Sequence, residues 1–294
     1  MTNITYKNKF FIAVLAIFAA LPPFAINTYS PAIPQISKYF SIPEAAVIVT
    51  VTTYFIGFAI GMLVWGAFSD IYGRKRILII GMVLYIMSTV ACSITESFST
   101  LMFMRFIQGF SDSTGAIVAM AMTRDCYTGK KLMAMMASIL IIMMAAPITA
   151  PIIGSILIIS TQKWQSIFYF LSLYGILLLI IACFLQETLA PNGRQKHIWD
   201  SLVQFKDHLT NRKFIVMSLS AGLCFAGFFS FVGSSSIIFL TIFSAGYTLY
   251  CVLFAVTFTG IIIANYMIKK MSVNISSNRL CLVGFVACLF GVVI

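Results

Sequence analysis

Residues 46–95 read AVIVTVTTYFIGFAIGMLVWGAFSDIYGRKRILIIGMVLYIMSTVACSIT. Two apolar runs, 46–68 and 77–95, stand on either side of a short segment holding Asp70, Gly73, Arg74, Lys75 and Arg76. Each run has the roughly 20 apolar residues a helix needs to cross a bilayer. Backbone groups in hydrocarbon must bond within their own segment, so the runs are expected to be helices. The segment between them is expected to turn the chain at a membrane surface.

The same alternation extends in both directions. Apolar spans fall at about 10–30, 101–123, 134–160, 165–186, 214–241, 248–268 and 277–294, nine in all with the two above. Of the 294 residues, 61% are hydrophobic and 9% charged. A soluble domain carries about 25% charged residues, because it must present a polar surface to water. This composition excludes a soluble enzyme, a disordered chain and a nucleic-acid-binding module. A transmembrane barrel would need alternating polarity over ten-residue segments, which the runs lack. The expected fold class is all-α, a polytopic membrane helix bundle.

The net charge of +11 lies in bursts between the runs. With the N-terminus in the cytoplasm, inner loops carry sixteen Lys and Arg, and outer loops only Lys38 and Lys163. The excess of basic residues on the cytoplasmic side sets that orientation. The longest loop, 188–213, separates six spans (1–187) from three (214–294). Within it Ile198, Trp199, Leu202, Phe205 and Leu209 share one helical face, the pattern of an amphipathic helix on the inner leaflet. The N-terminal run is too long for a signal peptide and lacks a cleavage pattern, so it reads as the first span. The seven cysteines form no CxxC and nearly all lie in apolar runs, as small buried hydrophobes do. No HExxH, GxSxG or Walker A pattern occurs, and His197 and His208 sit in the central loop. An enzyme, a metal site and a cofactor are therefore not expected.

Ionisable residues inside a membrane are costly, so they mark function. Arg105 and Asp112 are the two that lie well inside a span, both in the fourth. Seven residues are about two helical turns, which places them on one face about 10 Å apart along the axis. They are expected to line a polar cavity, as a substrate or proton site or as a structural charge pair. At 66–76, Asp70 and the basic triplet Arg74, Lys75 and Arg76 can form an ion-pair lock, with Gly66 and Gly73 permitting close approach and a tight turn. In the fifth span, Pro147 and Pro151 remove backbone bonds and bend the helix, while Gly154 admits a close neighbour. In the first span, prolines flank Asn27-Thr28-Tyr29, which suggests a broken helix lining a cavity.

Together these segments resemble the major facilitator superfamily. Residues 66–76 resemble its signature G-x-x-x-D-[RK]-x-G-R-[RK]-[RK], matching at Gly66, Asp70, Gly73, Arg74, Lys75 and Arg76 and departing at Ile71. Arg105-Phe-Ile-Gln108-Gly109 resembles R-x-x-Q-G, whose arginine is implicated in proton coupling. Pro147 to Gly154 resembles the antiporter signature. A closer resemblance is to the Bcr/CflA drug-efflux subfamily. Residues 26–34 resemble I-D-x-Y-L-P-A-x-P, residues 121–125 resemble A-x-x-R-D, and Trp164 to Phe168 and Glu187-Thr-Leu resemble the borders of its sixth helix.

The resemblance implies proton-coupled efflux of small amphiphilic drugs across a bacterial inner membrane by a monomer working through alternating access. Asn27, Tyr29, Arg105 and Asp112 would line the substrate and proton pathway, and loop 66–76 and the fifth span would serve gating. An importer of a small metabolite and an inactive remnant are the alternatives. Two departures bear on this. Asn27 stands where the subfamily has an acid, and Asn cannot titrate, so Asp112 is expected to supply the acid. The family has two six-helix halves. This chain carries nine spans, so the reading is a complete first half and part of a second. The surface latch from the position of Asp70 to an eleventh helix is expected to be missing.

Overall fold

The computed structural model describes residues 10–143, 145–190 and 210–271. The amphipathic stretch expected at 198–209 and the ninth span expected at 277–294 lie outside the described residues.

The helices follow the apolar runs closely. They are α1 Phe10–Ala19, α2 Leu21–Tyr29, α3 Ile33–Phe40, α4 Glu44–Tyr72, α5 Arg74–Ile94, α6 Phe98–Cys126, α7 Gly129–Met143, α8 Ala146–Thr161, α9 Gln165–Phe184, α10 Arg212–Ser236 and α11 Tyr247–Met271. The first span is broken, as its prolines demand. Pro22 and Pro23 at the start of α2 have no N–H for the carbonyls of the turn before. The axis bends by 42° between Phe10–Ala19 and Leu21–Phe40, and a 3₁₀ turn at Ser30–Ala32 follows the polar patch. The fifth span, Gly129–Thr161, carries Pro147 in the first turn of α8 and Pro151 inside that helix.

Among the described residues five helical stretches are long and apolar enough to cross a membrane, or six with the bent α1–α3 counted as one span. The fourth span, α6, is absent from that set. It is long enough at 29 residues but too polar, carrying Arg105, Gln108, Ser111, Asp112, Ser113 and Thr114 in buried positions. The fold places this polar helix inside the others: α6 packs against α4, α5, α1 and α2. Apolar side chains such as Ile56, Ile60, Leu63, Leu173, Leu177 and Ile180 face outward. That inversion suits hydrocarbon as the surrounding solvent.

The α4–α6 contact is close because small residues meet backbone. A Cβ on Gly109 would lie within 2.8 Å of the Tyr54 carbonyl carbon, and one on Gly57 within 2.9 Å of that of Phe106. Gly73, at φ 99° and ψ 149°, joins α4 to α5 in a conformation that L side chains rarely adopt.

Contacts divide the chain into two units, Met1–Tyr250 and Cys251–Ile294. In the first, α10 lies beside the N-terminal bundle: Ser30 donates to the Val232 carbonyl at 3.4 Å and Tyr250 donates to Ser30 at 3.2 Å. In the second, Phe254 and Phe258, one turn apart on α11, place their rings 5.1 Å apart.

Candidate functional site

Arg105 and Asp112 are both fully buried on α6. No ion pair joins them among the described residues; Arg105 takes rings from neighbouring elements and Gln108 from its own helix, and Asp112 takes Tyr54 from α4. The Arg105 guanidinium lies over the Tyr29 ring at 4.3 Å from its centroid and over the Tyr54 ring at 4.7 Å, with Phe168 at 6.0 Å. Electron-rich ring faces attract a cation most strongly where water is excluded. Its Nη1 donates to Gln108 Oε1 at 2.7 Å, while Nε and Nη2 have no protein partner.

Two hydrogen-bond chains hold this cage. Gln108 Nε2 donates to Thr89 Oγ1 at 2.8 Å, and Thr89 donates onward to the Tyr85 carbonyl at 2.6 Å. Thr50 spends its one proton on the Val47 carbonyl at 2.6 Å, so the 2.8 Å contact with Tyr29 has the tyrosine as donor. Each hydroxyl thus has one available role, and the rings are held in place around the cation.

Asp112 Oδ2 accepts from the Tyr54 hydroxyl, and its Oδ1 has no protein partner. Tyr54 therefore touches both ionisable residues, the cation with its ring and the carboxyl with its hydroxyl. Sequence reasoning missed it, along with Thr50, Thr89, Tyr85 and Phe168, because an aromatic or hydroxyl residue in an apolar run gives no signal by itself. The register that brings Tyr54 to α6 is set by the Gly57 and Gly109 contacts.

The first-span patch arrives from the other side. Asn27 and Tyr29 are buried, and Asn27 Nδ2 donates to the Pro23 carbonyl at 2.6 Å. Asn27 Oδ1 and Thr28 Oγ1 have no protein partner. Gly154 of α8 sits against this patch: a Cβ there would approach the Thr28 carbonyl carbon to 3.2 Å and Pro31 Cγ to 3.3 Å. Pro151 and Gly154 are buried, so the proline–glycine face of α8 is a seat for the polar part of the first span. Among the described residues no cluster of three or more His, Cys, Asp or Glu stands ready for a metal.

The expected lock at 66–76 forms, with a different cast. Arg74 pairs with Asp70 at 2.6 Å and with Asp125 at 3.0 Å, and donates to Ser69 Oγ at 2.7 Å. The Glu187 carboxylate accepts from the backbone N–H of Arg74 at 3.0 Å and of Lys75 at 3.2 Å, capping the positive end of α5. Thr188 donates to Asp125 at 3.0 Å. Lys75 donates to the Cys183 carbonyl at 2.7 Å, and Arg76 is exposed. Gly66 is open to a Cβ with only Ile117 nearby at 3.6 Å, so it is not a tight contact. The ends of the second, third, fourth and sixth spans are thus tied at one surface.

A model of the Major Facilitator Superfamily matches residues 14–294. An uncharacterized MFS-type transporter, YdgK of Bacillus subtilis, is 31% identical over 91% of this chain and 68% of its own length. The bicyclomycin resistance protein homolog of Haemophilus influenzae is 27% identical over 93% and 69%. Multidrug resistance protein MdtL of Escherichia coli O157:H7 is 26% identical over 80% and 59%. Among solved structures, a bacterial homolog of the lysosomal transporter Spinster aligns with a TM-score of 0.70 at 16% identity, over 90% of this chain and 63% of its own. The D-xylose-proton symporter aligns at 0.66 and 16% identity, over 89% and 69%. At that identity the structures speak for the fold alone. The chain spans about two thirds of the length of most of these proteins.

Proposed function

The chain belongs to the Major Facilitator Superfamily and is a multi-pass membrane protein with a transporter fold; on that premise we propose that it exports small amphiphilic drugs by proton-coupled antiport. The reading places it in a bacterial inner membrane with the N-terminus in the cytoplasm, acting as a monomer. It treats 1–187 as a first six-helix half, 188–213 as a cytoplasmic loop and 214–294 as part of a second half.

One observation carries the proposal: a desolvated guanidinium and a carboxyl on one helix are kept apart by a tyrosine that contacts both. In an antiporter the proton and the substrate must exclude one another. Tyr54 offers a way. When Asp112 is ionised, it holds the Tyr54 hydroxyl, and the unpartnered Nε and Nη2 of Arg105 stay open as donors to a flat aromatic substrate. When Asp112 takes a proton, that hydrogen bond weakens, and the released ring is free to close over those donors and exclude the substrate. Asn27 contributes an amide acceptor and no titration, so the proton is assigned to Asp112. The names of two relatives, a bicyclomycin resistance protein homolog and a multidrug resistance protein, agree with drug export.

Two groups on opposite faces of this arrangement serve alternating access. The α8 face at Pro151 and Gly154 carries the Thr28 segment, and the Arg74 cluster ties four helix ends at the inner surface. Rocking about the site would move these seats.

A second reading has one observation of its own. The free guanidinium nitrogens of Arg105 suit an anion, so import of a small anionic metabolite is the alternative. Inverted vesicles holding the 294-residue chain, loaded with an imposed pH gradient, separate the two. Gradient-dependent drug uptake into the vesicles supports export. Whole-cell accumulation of an organic anion, with no drug flux in vesicles, would establish import instead.

A further inference from the structure

At the end of the bundle opposite the Arg74 cluster, a pocket of about 730 Å3 opens between α3, the end of α5 and the α8–α9 turn. Its walls include Gln35, Lys38, Tyr39, Lys163, Trp164 and Tyr169. The two lysines are the only basic residues that the charge pattern puts on this side. Neither makes an ion pair among the described residues, and no carboxylate lines the pocket.

Trp164 supplies a second and independent observation. It is 3% exposed, yet its indole N–H has no protein partner. Trp usually finds a partner for this donor when buried. The ring has little freedom to seek one elsewhere. It packs edge-on to Tyr39 at 5.5 Å and to Phe168 at 5.8 Å, with Phe40 at 5.9 Å. Gln35 Oε1, also buried in this wall, is an acceptor without a partner.

We propose that this pocket is a binding site for an anionic oxygen group, phosphate or carboxylate, carried by an amphiphile. The ammonium groups of Lys38 and Lys163 and the indole N–H of Trp164 take the anionic oxygens. Gln35 Oε1 takes a hydroxyl of the same ligand, and the Tyr39 and Tyr169 rings flank its apolar part. The depth fits: the pocket lies where the apolar spans end, at the level of lipid headgroups, where aromatic and basic side chains gather. The site rests on the pocket's own groups and not on the export reading. One ring separates it from the Arg105 cage: Phe168 lies 5.8 Å from Trp164 and 6.0 Å from the Arg105 guanidinium.

The test uses the full chain in detergent with 5-fluorotryptophan in place of its three tryptophans. Fluorine NMR then follows Trp164, assigned by loss of its line in Trp164→Phe, while the Trp65 line reports the fold. Three probes are titrated: inorganic phosphate, short-chain phosphatidylglycerol and short-chain phosphatidylcholine. A saturable shift of the Trp164 line with phosphatidylglycerol alone identifies a lipid headgroup as the source of the anion. A shift with inorganic phosphate as well identifies a free small anion. In either case Lys38→Gln with Lys163→Gln should weaken binding at least about tenfold, as loss of a hydrogen bond to a charged group does, and the two Arg replacements should retain it. Added sodium chloride should weaken the wild-type interaction without any substitution. No shift with either anion, an equal shift with phosphatidylcholine, or affinity unchanged by both the substitutions and the salt overturns the proposal. The readout involves no flux, so it stands apart from the result for drug export.

Discussion

Two regions of the molecule use the same side-chain types in opposite ways. At the α4–α5 turn, Arg74 meets Asp70 and Asp125 directly, and Glu187 caps two backbone N–H groups. In the interior, Arg105 and Asp112 share a helix face and still do not pair. The turn lies at the end of the spans, where the groups are near water, and direct pairing there holds helix ends together at modest strength. The interior excludes water, so every unmet donor or acceptor is costly. Arg105 Nε and Nη2 and Asp112 Oδ1 remain unmet by protein. A fully satisfied cluster is suited to fastening. A cluster with unmet valences is suited to binding and releasing something, which is why the interior pair is assigned the transport role.

That contrast can be broken most severely at Arg105. Arg105→Met removes the cation from two rings and leaves Gln108 without its donor. Cation–π attraction in a desolvated site is about 2 kcal/mol per ring. Drug flux in vesicles should therefore fall by about a thousandfold, since two rings make about 4 kcal/mol and each 1.36 kcal/mol counts tenfold. A residual rate within threefold of wild type would mean that the cage is structural.

Asp112→Asn tests the other member. The amide keeps the shape and an acceptor for Tyr54 but cannot gain or lose a proton. Flux should lose its dependence on the imposed pH gradient and fall by about a hundredfold, the low end of the range typical of removing one proton-transfer group. Drug binding measured by equilibrium dialysis should persist. Retained pH dependence would move the proton to another group.

Tyr54→Phe separates the two halves of the comparison, since the ring over Arg105 stays and the hydroxyl goes. The number of protons moved per drug should drop, while binding changes by less than about threefold, the scale of one modest hydrogen bond. Unchanged stoichiometry would remove Tyr54 from the coupling step.

Gly154→Val probes the seat of the first span. The added side chain meets the Thr28 carbonyl and Pro31, a backbone contact that cannot rotate away. Overpacking of this kind costs about 1–3 kcal/mol, read as a lowered melting temperature in detergent. The smallest effect belongs to the satisfied cluster. Glu187→Gln weakens a cap worth about 1 kcal/mol. It should lower the melting temperature by about 2–4 °C and change drug flux per folded molecule by less than about threefold, the scale of one modest hydrogen bond.

Much of this was legible in the chain before any fold was built. Uninterrupted apolar runs leave a helix as the only way to satisfy the backbone in hydrocarbon, so α4, α5, α9 and α10 begin and end close to the limits of their runs. Prolines 22 and 23 mark the break in the first span, because a missing N–H acts locally. Arg105 and Asp112 stand out because charge is rare in such runs, and Asp70 and Arg74, four residues apart, pair across the turn at Gly73.

The partners of the buried charges were not legible. Arg105 and Asp112 are neighbours on one face by periodicity, and periodicity says nothing of what comes from another helix. Tyr54 lies 58 residues from Asp112, and Glu187 lies 113 from Arg74. Sequence alone determined which segments are helical, where they break and which residues are too polar for lipid, since each of these follows from local chemistry and the solvent. Only the tertiary structure decided which ring covers Arg105 and which hydroxyl holds Asp112. Those choices depend on how closely and in what register two helices meet, and small residues such as Gly57 and Gly109 set that register by steric contact with a distant backbone.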